Sequence, residues 1–295
     1  MKKALFLTKA AVFAFLAVSI CGSAFAQKNE NVQVGNVFAP SAVKIDGKLN
    51  EWGNSLQAYN KTVKLWYTLA NDDKNIYLAI KSTDFDNNNK ILAGGISLTL
   101  NMAGKKKEKG AFAVTFPVVS RTGSRGSRGR RGGFGQSDTP DTAAIVAQEK
   151  QTLATSKVIN ALGFNQITDT LVSIYNEYGI KAVANIDDKG VFVYELSIPL
   201  TLLGITSADQ KEIAYNIKVN GLQLSTSSGF GGGGGGGRYG GGGGGFGGDG
   251  GGGFGGGGGA GFGGGRDSSD ASDLMSPTDF WGKYTLATAQ LSKIK

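Results

Sequence analysis

The chain has 295 residues, a formal charge of +8, no histidine and a single cysteine, Cys21. Without histidine there is no Ser-His-Asp or Cys-His nucleophile, no imidazole zinc site and no proximal haem ligand of the usual kind. One cysteine allows no internal disulfide and no cysteine-based metal cluster.

The chain opens MKKALFLTKAAVFAFLAVSICGSAFA. Lys2 and Lys3 precede an apolar run from Ala10 to Ile20 that is short for a bilayer, and Ala24-Phe25-Ala26 is a small-x-small cleavage site. This pattern predicts a secretory signal peptide over residues 1–26. It implies export to the periplasm, cell surface or medium, with no transmembrane segment in the mature chain. Cys21 departs with it, and the bulky Ile20 before that cysteine disfavours a lipoprotein site.

The rest predicts one domain over 34–291. VKIDGKLNEWG (Val43–Gly53) starts extended and ends in a turn. TVKLWYTLANDDKNIYLAIKSTD (Thr62–Asp84) is two alternating runs about a polar turn, a hairpin. Leu65, Tyr67 and Leu69 share one face, and Ile76, Leu78 and Ile80 share a face of the partner. GGISLTLNM and GAFAVTFPV form a second hairpin around Lys105–Lys109. After Pro140, DTAAIVAQEKQTLATSKVI predicts a short helix or irregular crossover with a weak stripe of Ile145, Glu149 and Leu153. Strand patterns return at Tyr178–Ile186, Gly190–Leu200 and Glu212–Leu224. Beyond the glycine run, DFWGKYTLATAQL carries Phe280, Trp281, Tyr284 and Leu286, which a free tail would not need; it predicts a last strand. Many strands, close turn signals and little helix predict an all-β antiparallel sandwich, jelly-roll-like.

Two low-complexity stretches read as disordered loop insertions, at 120–140 and 228–272. The first, SRTGSRGSRGRRGGFG, has the look of an RGG segment. An exported protein rarely meets RNA, so no nucleic-acid partner is expected, and an anionic glycan or lipopolysaccharide suits the arginines better. In the second, Phe230, Tyr239, Phe246, Phe254 and Phe262 recur among glycines at seven to nine residues, a spacing that suits weak self-association.

KIDGKLNEWG, NDDKNIYLAIKSTD, VYELSIPLTLLGI and the late DFWGKYTL resemble the family-9 carbohydrate-binding modules and their wider DOMON-like β-sandwich relatives. The matching residues are Ile45, Asp46, Gly47 and Trp52; Asp72, Asp73, Asn75, Tyr77 and Leu78; and Tyr194, Glu195, Ile198, Pro199 and Leu200. The resemblance implies a module that binds a polysaccharide or envelope glycan without cleaving it. Some such modules carry structural calcium. Some relatives bind haem, but here only Met102 and Met275 lie beyond the signal segment.

Sugar rings stack on aromatic faces while polar side chains read their hydroxyls. Alternation places Trp66 and Tyr77 opposite the Leu/Ile face, which makes them ligand-binding candidates together with Trp281. Trp52 is expected in the core. For calcium, STDFDNNNK offers Asp84, Asp86 and Asn87, although its spacing is not an EF-hand and a polar turn is the alternative. Glu195 is the best-placed acid. With no partner acid in view it does not make a glycosidase pair, so no enzyme is expected. The competing reading is a structural or adhesive envelope protein that uses the sandwich without binding glycan.

Overall fold

The computed structural model describes residues 30–53, 56–119, 142–222 and 273–289. The predicted signal peptide over 1–26 and the insertions over 120–140 and 228–272 lie outside these residues.

The described chain is an all-β sandwich of two antiparallel sheets. The first has the order β1 (Ala58–Asn60), β2 (Leu65–Asn71), β3 (Asn75–Ser82), β9 (Phe192–Pro199), β8 (Lys181–Ile186). The second runs β11 (Thr278–Thr285), β10 (Glu212–Val219), β4 (Ile96–Asn101), β5 (Phe112–Phe116), β6 (Val158–Leu162), β7 (Leu171–Ser173). Two helices pack against them: α1 (Phe85–Gly94) and α2 (Thr142–Thr155).

The expected first hairpin forms, with Tyr67 opposite Ile80 and Leu69 opposite Leu78. Asp72 makes its turn by accepting from Lys74 N and Asn75 N, both at 2.7 Å, a local bond that holds Asp in turns. All four of those apolar side chains are fully buried, each worth about 1.5–3 kcal/mol relative to exposure. Polar contacts join the two sheets, among them Tyr284 Oη donating to Asn71 Oδ1 at 2.7 Å. Tyr67 and Tyr215 share a hydroxyl bond of 2.9 Å, and Gln33 N donates to Tyr67 Oη at 2.7 Å.

The last strand also forms. β11 pairs with β10 over eight positions, and Phe280 sits against the rings of Tyr67 and Tyr215. Gly282 lies opposite Tyr215, where an added Cβ would stand 2.3 Å from that ring. The chain on either side of residues 223–272 meets, because Leu222 N donates to Leu274 O at 2.8 Å.

Two segments differ from expectation. The helix after Pro140 stops at Thr155, and Val158 and Ile159 begin β6 instead of extending it; β-branched side chains suit a strand whose inward residue, Ile159, is fully buried. On α2 the buried residues are Val146, Glu149 and Leu153, so the stripe is displaced from Ile145. The polar turn expected at STDFDNNNK is the start of α1. Among the described residues no helix is long and apolar enough to cross a membrane.

A second, smaller apolar cluster lies on the outside of the first sheet. There the segment before β1 covers Ala70, Tyr77 and Ala79 with Ala39, Trp52 and Leu56.

Candidate functional site

The matched residues of KIDGKLNEWG and VYELSIPL converge on one carboxylate. β9 turns Tyr194 and Leu196 into the core and Glu195 to the outer face, where the segment before β1 buries it completely. Glu195 Oε2 accepts from Asp46 N at 3.0 Å and Gly47 N at 2.9 Å, and Oε1 accepts from Trp52 Nε1 at 2.9 Å. Burial pushes this carboxyl above the ordinary glutamate range, and the three donors pull it back in part. Gly47 turns with φ +80, and a Cβ there would press on Asn185 and Val183 at 3.1 Å. Both oxygens of Glu195 are engaged, so its place is that of an anchor for the N-terminal segment. Trp52, expected in the core, is 9% exposed and serves the same anchor.

The three aromatic candidates have different surroundings. Tyr77 lies on the outer face as alternation requires, but it is only 6% exposed. It packs edge-on to Trp52 with centroids 6.1 Å apart, and its hydroxyl donates to Asp72 at 2.7 Å. Burial and that carboxylate push its hydroxyl up to about 12. The segment before β1, which alternation cannot see, closes over Tyr77. Trp66 is half-buried between its two cross-strand neighbours. Tyr59 stands at 4.4 Å between centroids and Lys81 Nζ at 5.3 Å from the ring. Its faces are thus already in use.

Trp281 is also half-buried, on the outer face of the second sheet, and makes no ring or cation pairing among the described residues. It sits in register with Asn216, which pairs in turn with Thr99. Asn216 is 1% exposed. Its amide nitrogen donates to Asp279 Oδ2 at 2.6 Å and to Phe280 O at 2.9 Å, while Oδ1 has no partner among the described residues. The next row adds Ser97 and Thr115, hydroxyl to hydroxyl at 2.6 Å. One aromatic, an acid and a set of amides and hydroxyls thus share one face. Asn216 escaped the sequence reading; its alternation within EIAYNIKV, out of phase with Tyr215 and Ile217, is the signal that marks it as outward.

The calcium candidates do not come together as a cation site. Asp84 caps α1 by accepting from Asn87 N at 2.9 Å, and its other oxygen takes Lys64 Nζ at 3.0 Å. Burial raises its carboxyl, but Asn87 N–H and Lys64 outweigh that and hold it below the usual range. The Asn87 side chain donates to Val63 O at 3.0 Å, and Asp86 lies in the first turn of the helix. An oxygen already bound to a lysine does not suit a divalent cation. Among the described residues no group of three or more acids, histidines or cysteines is placed to hold a metal ion.

The molecule is thus an antiparallel two-sheet sandwich with a polar, Trp-bearing face. The chain matches no protein-family model and no curated protein.

Proposed function

We propose that the protein is an exported, non-catalytic glycan-binding module of the type of the family-9 carbohydrate-binding modules, and that it takes polysaccharide on the outer face of the second sheet at Trp281. The observation that carries this reading is the pairing of Trp281 with Asn216, whose Oδ1 is buried without a partner among the described residues. A buried acceptor left unmet is costly, and a sugar hydroxyl donating to it removes that cost while the ring stacks on the indole. The signal-like residues 1–26 and the resemblance in the opening motif and β9 point the same way. Glu195, the acid of that resemblance, is committed to the fold, which agrees with binding without cleavage.

The test is affinity electrophoresis of the protein in gels containing neutral and acidic polysaccharides, with Trp281→Ala alongside. A stacking contact is worth on the order of 1–2 kcal/mol, so retardation should weaken about tenfold while the variant stays folded. If no polysaccharide retards the wild type, the reading fails. The structural or adhesive envelope role then takes its place. That role is favoured by one feature, an outer face of Ser97, Thr99, Thr115 and Lys218 with a single aromatic among them.

A further inference from the structure

Between α1, α2 and the lead-in to β11 lies a cavity of about 790 Å³, within the size range of small-molecule sites. Charged residues on its wall include Lys64, Asp86, Lys90, Glu149 and Asp273. Both lysines are already met: Lys64 by Asp84 at 3.0 Å, and Lys90 by Thr278 Oγ1 at 3.2 Å. Glu149 is not. It is 4% exposed, and neither carboxyl oxygen has a hydrogen-bond partner among the described residues.

Native folds rarely leave such a group unmet, because desolvating a carboxylate without a donor is expensive. No protein donor reaches it among the described residues. The walls beside it include apolar Ile145 and Leu92. What is missing is a donor-rich, positively charged group carried on something apolar and small enough to enter.

We propose that this cavity binds a small cationic ligand, an ammonium or guanidinium on a short aliphatic stem, with Glu149 accepting its N–H groups and the stem against Ile145 and Leu92. Burial, which pushes the Glu149 carboxyl above the ordinary range, is the same condition that makes a bound cation welcome there. This site is separate from the Trp281 face, and its test does not depend on glycan binding.

The probes are butane-1,4-diamine and free arginine, titrated calorimetrically into the purified protein, with glutamate and ionic-strength-matched sodium chloride as controls. Saturable binding of at least one cation is expected, with none for the controls, and about tenfold or greater loss in Glu149→Gln, as for removal of a charge-assisted pair. In the wild type, the Glu149 carboxyl carbon resonance should move on titration. Absence of saturable binding, equal binding by Glu149→Gln, or a Glu149 resonance that stays still would each overturn the proposal.

Discussion

Trp52 Nε1 donates to Glu195 Oε1 at 2.9 Å across 143 residues of sequence, and with Asp46 N and Gly47 N it leaves that buried carboxylate no free oxygen. The bond fastens the segment before β1 to the outside of the first sheet. Glu195→Gln must set an NH₂ group against one set of donors. It should lose on the order of 2–4 kcal/mol, the scale of a broken buried charged network. Trp52→Phe, which keeps the ring and drops one donor, should lose about 1–2 kcal/mol. Urea unfolding measures both; a Glu195→Gln midpoint equal to that of the wild type would show that the carboxylate is not an anchor.

Burial raises the carboxyl groups of both Glu149 and Glu195 in the folded protein. The folded state therefore holds protons that the unfolded chain gives up near 4.5. The proton-linked part of the stability these groups contribute is complete below that value and is lost as pH rises through their higher folded values. Glu149→Gln removes one of the two titrations. Its melting temperature should match the wild type near pH 4 and exceed it near pH 7.5, where an unpartnered buried charge costs on the order of 1–3 kcal/mol. Parallel melting curves for the two proteins across that range would count against the assignment.

Trp66→Ala should behave unlike Trp281→Ala. Trp66 is held between Tyr59 and Lys81 and packs on the second apolar cluster, so truncation should cost about 1–3 kcal/mol and leave polysaccharide retardation unchanged. Thermal melts beside affinity gels separate the two residues. Loss of retardation in a folded Trp66→Ala would move the binding face to the first sheet.

Gly282→Ala should loosen the edge strand. The new Cβ would meet Tyr215 within 2.3–2.6 Å, and Tyr215 is fully buried and bonded to Tyr67. Overpacking of this kind costs about 1–3 kcal/mol. Amide exchange should then quicken across Thr278–Thr285 first. Unchanged protection there would mean that Tyr215 yields without strain.

Replacing Gly231–Gly264 with a short Gly/Ser linker should leave the melting temperature within a few degrees. Leu222 and Leu274 are already joined by a backbone hydrogen bond, and closure entropy changes by only about one or two kcal/mol between long and short loops. A lost cooperative transition in calorimetry would show that the glycine segment packs on the sandwich.

What the sequence revealed follows from where the signal is local. Alternation at Leu65–Leu69 and Ile76–Ile80 is a property of neighbours, and it marked both strands and their inner face. The aromatic run at Phe280–Leu286 marked β11 for the same reason. The three-residue strands β1 and β7 carry too few residues for a period of two to register. α1 was hidden because Asp84, Asn87 and Asn88 read as turn formers, although the same Asp is a good helix cap. Tyr77 was placed on the correct face, while its cover, the segment containing Ala39 and Trp52, leaves no periodic signal. The partners of Glu195 were sought among acids, whereas the structure supplies N–H donors from the opening motif.

The reach of that anchor sets an order of events. Trp52 is made early and Glu195 late, so a ribosome delivers the N-terminal segment long before its anchoring carboxylate exists. Until β9 has joined β3, the acceptor for Trp52 Nε1 is missing from that face. The polar fastening of this segment thus waits for β9, although the apolar residues it covers on β2 and β3 are made long before.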